Sequence, residues 1–198
     1  MKYFEYGDKE LNYLRRCDER LCDVINKVGK LQIEVNPDVF EMLIYSIIGQ
    51  QLSNKAQETI FNRVMDKIKV LSAENLLNCQ SLRDCGLSQR KVEYVKGVSK
   101  AYLDGELNFK DDLSDDDIIK KLTQYKGVGV WTAEMILIFS MQRKNILSYN
   151  DLIIKRGLEM LYGIEKIDKK TFEIFREKFS PYCSIASFYI WRVGNGKV

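Results

Sequence analysis

The stretch YKGVGVWTAEMILIF, Tyr125 to Phe139, decides how this chain is read. Gly127 and Gly129 stand one residue apart, directly ahead of an apolar run with helical spacing that resumes at Trp131. Upstream, SDDDIIKKLTQ supplies Ser114 as an N-cap and an acidic first turn, so the glycine pair closes one helix and opens the next. Glycine permits positive φ and leaves backbone N–H groups uncovered, and the following helix directs its positive dipole end the same way. A hairpin of Lys126, Gly127, Val128 and Gly129 therefore suits a DNA phosphate, held without reading any base. A plain helix-to-helix turn would use the same two glycines, and Lys126 weighs toward the phosphate.

Working outward, 198 residues suffice for one domain, or two small lobes sharing a core, without covalent staples. Hydrophobic residues make up 45% and charged residues 30%, ordinary values for a globular protein. No apolar run approaches the ~20 residues needed to span a bilayer. The start MKYFEYGDKELNYL has no signal-type apolar core, so a cytoplasmic location is expected.

The five cysteines, Cys17, Cys22, Cys79, Cys85 and Cys183, are odd in number and scattered. That pattern fits a reducing compartment better than a disulfide framework. With no Cys-x-x-Cys pair and no histidine, zinc, iron–sulfur and histidine-base chemistry are not expected. No metal or cofactor is called for. A net charge of +3 permits nucleic-acid binding without announcing it.

Only Pro37 and Pro181 interrupt the chain, and the apolar spacing is helical almost throughout. ELNYLRRCDERLCDVINKVG reads as one helix ending at Gly29. DVFEMLIYSIIGQQLSNKAQETIFNRVMDKI follows Pro37, placed in the first turn, and its front half is apolar nearly all round, as in a buried central helix. Shorter helices are expected after caps at Ser72 and at Ser81 or Ser88, another over Trp131 to Met141, one from Asp151, and two near the C-terminus. KLQIEV is the one extended piece. The fold class is all-α.

After the hairpin comes SYNDLIIKRGLEMLYG, in which Asp151 opens a helix. Asp151 reads either as an N-cap and nothing more, or as a carboxylate kept ionised by the helix dipole and aimed at chemistry. In the second reading it stabilises a cationic transition state and orients a water.

YKGVGVWTAEMILIF followed by NDLIIKRG resembles the helix-hairpin-helix (HhH-GPD) DNA glycosylase superfamily, and within it the 3-methyladenine DNA glycosylase II branch. CDERLCDVINKVG is similar to the first helix of that branch, FEMLIYSIIGQQLSNKA to its glutamine-pair helix, and CGLSQRKVEYVKGVS to the segment ahead of the hairpin. The resemblance spans most of the chain. It implies a helix-hairpin-helix glycosylase fold with two helical lobes flanking a cleft, one over about 36–125 and the other over about 1–35 plus 130–198, with the hairpin at 125–131.

The resemblance further implies a monomer that binds double-stranded DNA containing a damaged base, flips the nucleotide and cleaves its N-glycosidic bond, with Asp151 catalytic. Bifunctional members carry a Schiff-base lysine two residues after the second hairpin glycine; here that position is Trp131, which implies a monofunctional enzyme. The superfamily also places a proline shortly before the aspartate, where this chain has Ser148. The branch's extra N-terminal β-rich domain is expected to be absent or reduced to a stub.

An alkylated purine is cationic, so electron-rich aromatic faces select it. By the resemblance Trp131 and Tyr182 are base-pocket residues, with Tyr149 and Met135 as further candidates. Core packing is the alternative for each. In the Gln50-Gln51-Leu52 corner, Gln51 or Leu52 is the wedge that fills the gap left by the flipped base. Ser53, Lys55, Arg90 and Lys91 are candidate phosphate contacts. Two other functions compete: the same fold acting on deaminated or oxidised bases, and a non-catalytic module that only holds DNA.

Overall fold

The computed structural model describes residues 1–109 and 112–198. Eleven α-helices and one 3-10 turn are found among these residues, with a single two-stranded ribbon, β1 (Lys2–Tyr3) antiparallel to β2 (Glu34–Val35). β2 falls in the extended KLQIEV piece; its partner at Lys2–Tyr3 was not foreseen. The chain divides into two compact units, one of Met1–Val35 with Leu137–Val198 and one of Asn36–Ile136. No helix among the described residues is long and apolar enough to cross a membrane.

The central unit holds α3 (Val39–Gly49), α4 (Asn54–Ile68), α5 (Ala73–Asn78), α6 (Gln89–Leu103), α7 (Asp115–Leu122) and the start of α8 (Val130–Phe139). No residue of α3 is exposed, and Phe40, Leu43, Ile44, Ile47 and Ile48 are buried, as its all-round apolar sequence requires. The cap is Asp38, whose side chain accepts from the Glu41 amide, so Pro37 lies just outside the helix rather than in its first turn. Serine caps open α4 to α7: Ser53 accepts from Ala56, Ser72 from Asn75, Ser88 from Lys91, and Ser114 from Asp117. The 3-10 turn Leu82–Cys85 fills the space between Ser81 and Ser88.

The terminal unit holds α1 (Asp8–Cys17), α2 (Glu19–Val28), the end of α8, α9 (Leu152–Tyr162), α10 (Lys169–Phe179) and α11 (Cys183–Gly194). The single helix expected over residues 10–29 is two helices. Asp18 adopts an extended backbone (φ −152°, ψ 121°) and caps α2 by accepting from the Leu21 amide, while its other oxygen pairs with Lys178 of α10. The apolar spacing of Leu14 and Leu21 runs straight across this break, which is why periodicity conceals it.

α9 and α11 pack against each other most extensively, and the contact is backbone to backbone. A Cβ on Gly157 would lie 2.4 Å from the Ile190 carbonyl oxygen, and one on Gly194 would lie 2.3 Å from that of Ile153. Mid-helix glycine costs about 1 kcal/mol against alanine, so its use here reflects the close approach. That approach sets where α9 begins.

The loop from α8 to α9 is pinned as well. Ser184 Oγ accepts from the Ile146 amide and donates to the Arg143 carbonyl, and the Ser184 amide donates to the Lys144 carbonyl. Lys144 pairs with buried Glu10 at 2.8 Å, and the Gly7 amide donates to the other oxygen of Glu10. The hydrogen bond from Lys144, aided by that from Gly7 and opposed by burial, lowers the Glu10 pKa from 4.5 to about 2. A depressed carboxylate pKa stabilises the fold above the unfolded value and ceases to do so as pH falls through the folded one. Glu10→Gln should therefore cost ~1–2 kcal/mol at pH 7, the half-exposed Lys144 keeping the value low. The difference from wild type should shrink between pH 4.5 and about 2, as read by urea unfolding across pH.

Candidate active site and DNA-contacting elements

In the central unit the hairpin is a tight turn from Tyr125 to Val128, closed by the Val128 amide on the Tyr125 carbonyl at 3.0 Å. Gly127 is its third residue with φ +90°, the left-handed value that a type II turn requires. A Cβ there would also strike the Tyr94 ring at 2.4 Å. Gly129 differs: its φ is not left-handed, nothing lies within 4 Å of a Cβ placed on it, and its carbonyl accepts from Ala133 to start α8. Lys126 is exposed and Val128 is buried, so the loop rests on Val128 and turns Lys126 outward.

Tyr94 is fixed from the other side by Arg90, whose guanidinium donates to the Tyr94 hydroxyl at 3.0 Å and sits 5.9 Å from the ring centroid. Lys91, expected on phosphate, donates to the carbonyl oxygens of Ile48 (2.7 Å) and Gln50 (2.8 Å) at the end of α3. Burial pulls its pKa below the usual lysine value. Ser53 spends its hydroxyl as the cap of α4, and Lys55 is exposed in the first turn of that helix.

The Gln50-Gln51-Leu52 corner is a second tight turn, closed by the Leu52 amide on the Gly49 carbonyl at 3.1 Å. Gln50 has φ −53° and ψ 129°, and Gln51 has φ +59°, so a glutamine occupies the position of a type II turn that favours glycine. That conformation costs roughly 1–2 kcal/mol for a residue with a side chain. Both Gln51 and Leu52 are exposed. Gln50 Nε2 donates to the Gly127 carbonyl at 2.5 Å, tying this turn to the hairpin.

In the same unit Trp131 stands 44% exposed in the first turn of α8, whereas Met135, one turn on, is 7% exposed.

In the terminal unit Asp151 is the N-cap of α9 and only 6% exposed. Its Oδ1 accepts from the amides of Ile153 and Ile154, each at 2.9 Å, and its own amide reaches the Ser148 carbonyl at 3.3 Å. Ser148 thus takes part in the turn that delivers Asp151, where the superfamily has proline nearby. Two amide donors at a helix N-terminus fix the orientation of the carboxylate. Tyr149 is half-buried; the Phe172 ring meets it edge-on at 5.1 Å and Lys155 Nζ lies 4.4 Å from its centroid. Its ring is thus engaged within its own unit. Tyr182, half-buried, meets Tyr13 edge-on at 5.1 Å.

Residues 44–181 match the HhH-GPD superfamily of base excision DNA repair proteins. The chain belongs to that superfamily. DNA-3-methyladenine glycosylase 1 of Schizosaccharomyces pombe is 33% identical over 165 residues, covering 79% of this chain and 72% of its own length. The crystal structure of a DNA-3-methyladenine glycosidase from Bacillus halodurans superposes with a TM-score of 0.87 at 34% identity, covering 98% of this chain and 93% of that one. The S. pombe 3-methyladenine DNA glycosylase bound to abasic DNA gives 0.78 at 30% identity, covering 93% and 95%. This chain falls in the 3-methyladenine DNA glycosylase branch and is an enzyme, a DNA glycosylase with the all-α fold of that branch.

Sequence reasoning identified the Gln50–Leu52 corner and the hairpin but not their connection, nor the tasks of Lys91 and Tyr94. The two hairpin glycines are also unequal. Gly127→Ala should lower stability by about 2 kcal/mol, combining a forbidden φ with a ring clash. Gly129→Ala should stay within about 0.5 kcal/mol of wild type. Parallel urea denaturation of the two variants measures this.

Proposed function

We propose that this enzyme excises alkylated purines of the 3-methyladenine type from double-stranded DNA, acting as a monomer and leaving an abasic site in an uncut strand. The observation that carries the reading is the Asp151 carboxylate, buried and held by two amides at the start of a helix. Hydrogen bonds to its Oδ1 fix the group, and a fixed carboxylate acts on a sugar that becomes oxocarbenium-like as the base departs.

The bond between the anomeric carbon and the base nitrogen breaks with its electron pair going to the base. A base that was cationic leaves neutral and needs no proton. Water then adds to the sugar carbon and releases its proton to solvent, with Asp151 orienting that water. A neutral oxidised base would need a proton donor at the leaving group, and the chain has no histidine to give it.

Trp131, exposed at 44%, is the aromatic surface we assign to the flipped cationic base, with Tyr182 as a second. Met135 is buried and the Tyr149 ring engaged, which makes both poorer candidates for touching the base. Gln51 or Leu52 is the wedge. Lys126, Gly127 and Gly129 meet backbone phosphate, with Ser53, Lys55 and Arg90 on neighbouring surface.

Single-turnover release of 3-methyladenine from a lesion duplex tests the reading. Asp151→Asn should keep lesion binding and lose excision on the order of a thousandfold. Borohydride should trap no protein–DNA adduct with the wild type, since Trp131 offers no amine. Retained turnover by Asp151→Asn, a trapped adduct, or release of 8-oxoguanine with negligible release of 3-methyladenine would each overturn a stated part: the catalytic carboxylate, the monofunctional assignment, or the substrate.

A further inference from the structure

The turn that carries Gln51 is strained, exposed and held from two sides by side chains that bind only backbone. Lys91 reaches from α6 to the carbonyls of Ile48 and Gln50 at 2.7 and 2.8 Å, gripping the end of α3 and the first residue of the turn's bend. Gln50 reaches the other way, donating to the carbonyl of Gly127 at 2.5 Å. Gly127 lies against Tyr94, and Tyr94 lies three residues beyond Lys91 on α6. The wedge turn, α6 and the hairpin thus form a closed ring of contacts inside one unit. Gln57 of α4 adds to it, donating to the Tyr45 carbonyl at 2.9 Å and filling the space beside Gly49.

None of these side chains is needed to make a helix. A helix end in solvent satisfies its last carbonyls with water, and exposed turns with a left-handed third residue ordinarily use glycine. Here the turn keeps a long amide side chain at that residue and is held by a donor 41 residues away, Lys91, and by an acceptor 77 residues away, the Gly127 carbonyl. Strain that the surroundings over-determine marks a position whose orientation is in use.

We propose that Gln50 and Lys91 are positioning residues for base extrusion, locking the turn that presents Gln51 and joining it to the phosphate-binding hairpin. Docking of the hairpin on the DNA backbone and insertion of Gln51 then occur as one rigid event. The proposal rests on the reading above that the enzyme flips a nucleotide, and it adds how the flip is coupled to backbone binding.

The test uses the full chain and two readouts. One is the single-turnover excision rate of 3-methyladenine at saturating enzyme. The other is fluorescence of 2-aminopurine placed beside an abasic-site analogue, which reports insertion without any base release. Lys91→Met and Gln50→Met remove the donors and keep unbranched stems. Each should lower the excision rate about tenfold and reduce the fluorescence change, with affinity for undamaged duplex held within about twofold. Lys91→Arg, which can still donate to both carbonyls, should recover most of the loss.

The decisive comparison is made in a Gln51→Ala background. If Lys91 and Gln50 act through Gln51, their replacement there should add little further loss, because interacting sites are non-additive. A full additional tenfold loss in that background, or wild-type excision and fluorescence in both single variants, would overturn the proposal. Gln50→Met removes one hydrogen bond only and keeps the test decisive if Lys91→Met fails to fold. Absence of base release by the wild type would sink the glycosylase substrate reading instead, and the fluorescence readout would still decide this one.

Discussion

The approach of two helix backbones at Gly157 and Gly194 is the constraint on which the terminal unit depends. With Ile190 and Ile153 carbonyls where side-chain carbons would stand, α9 and α11 can meet only if both positions are glycine. α11 is buried along nearly its whole length, from Cys183 to Ile190 without a break, so it is a fixed reference within its unit. α9 inherits that rigidity. Its first turn, and with it the Asp151 carboxylate, is then placed by packing instead of by a loop, which is how a preorganised charge is kept from relaxing. The preceding loop is secured separately by Ser184 and by the Glu10–Lys144 pair.

The central unit follows a different logic. Its buried helix α3 ends in a strained turn, and the strain is sustained by long-range side-chain donors rather than by packing. Lys91 at the end of α3 also complements the negative end of that helix dipole. Gly127 serves two functions at once, providing a left-handed φ and making room for Tyr94, whereas Gly129 provides neither. The two units are therefore built by two distinct devices: a carboxylate on a packed helix, and a pair of tight turns joined by hydrogen bonds.

Much of this was legible in the sequence because it is written locally. Serine and aspartate caps announce their helices at Ser72, Ser88, Ser114 and Asp151, and the unbroken apolar run of α3 announces burial. The hairpin and the aspartate beyond it carried the family resemblance. What stayed hidden was decided at a distance. The break at Asp18 is invisible because the heptad spacing of Leu14 and Leu21 survives it, and because Lys178, 160 residues away, helps hold Asp18 there. Lys91 read as a surface cation since its carbonyl partners lie more than 40 residues upstream. Tyr149 reads as a further base-pocket candidate beside Asp151, yet Lys155 and Phe172 close on its ring through the fold of α9 and α10.

The central claim is that Asp151 acts as a fixed anion on the sugar of a flipped nucleotide. A crystal structure of this protein with a duplex containing an abasic-site analogue measures that directly. The account predicts the analogue rotated out of the helix with its anomeric position within about 4–6 Å of the Asp151 carboxylate, and the two amide bonds to Oδ1 retained. An extruded sugar lying beyond that range, or a carboxylate released from the Ile153 and Ile154 amides and turned away from the DNA, would contradict it.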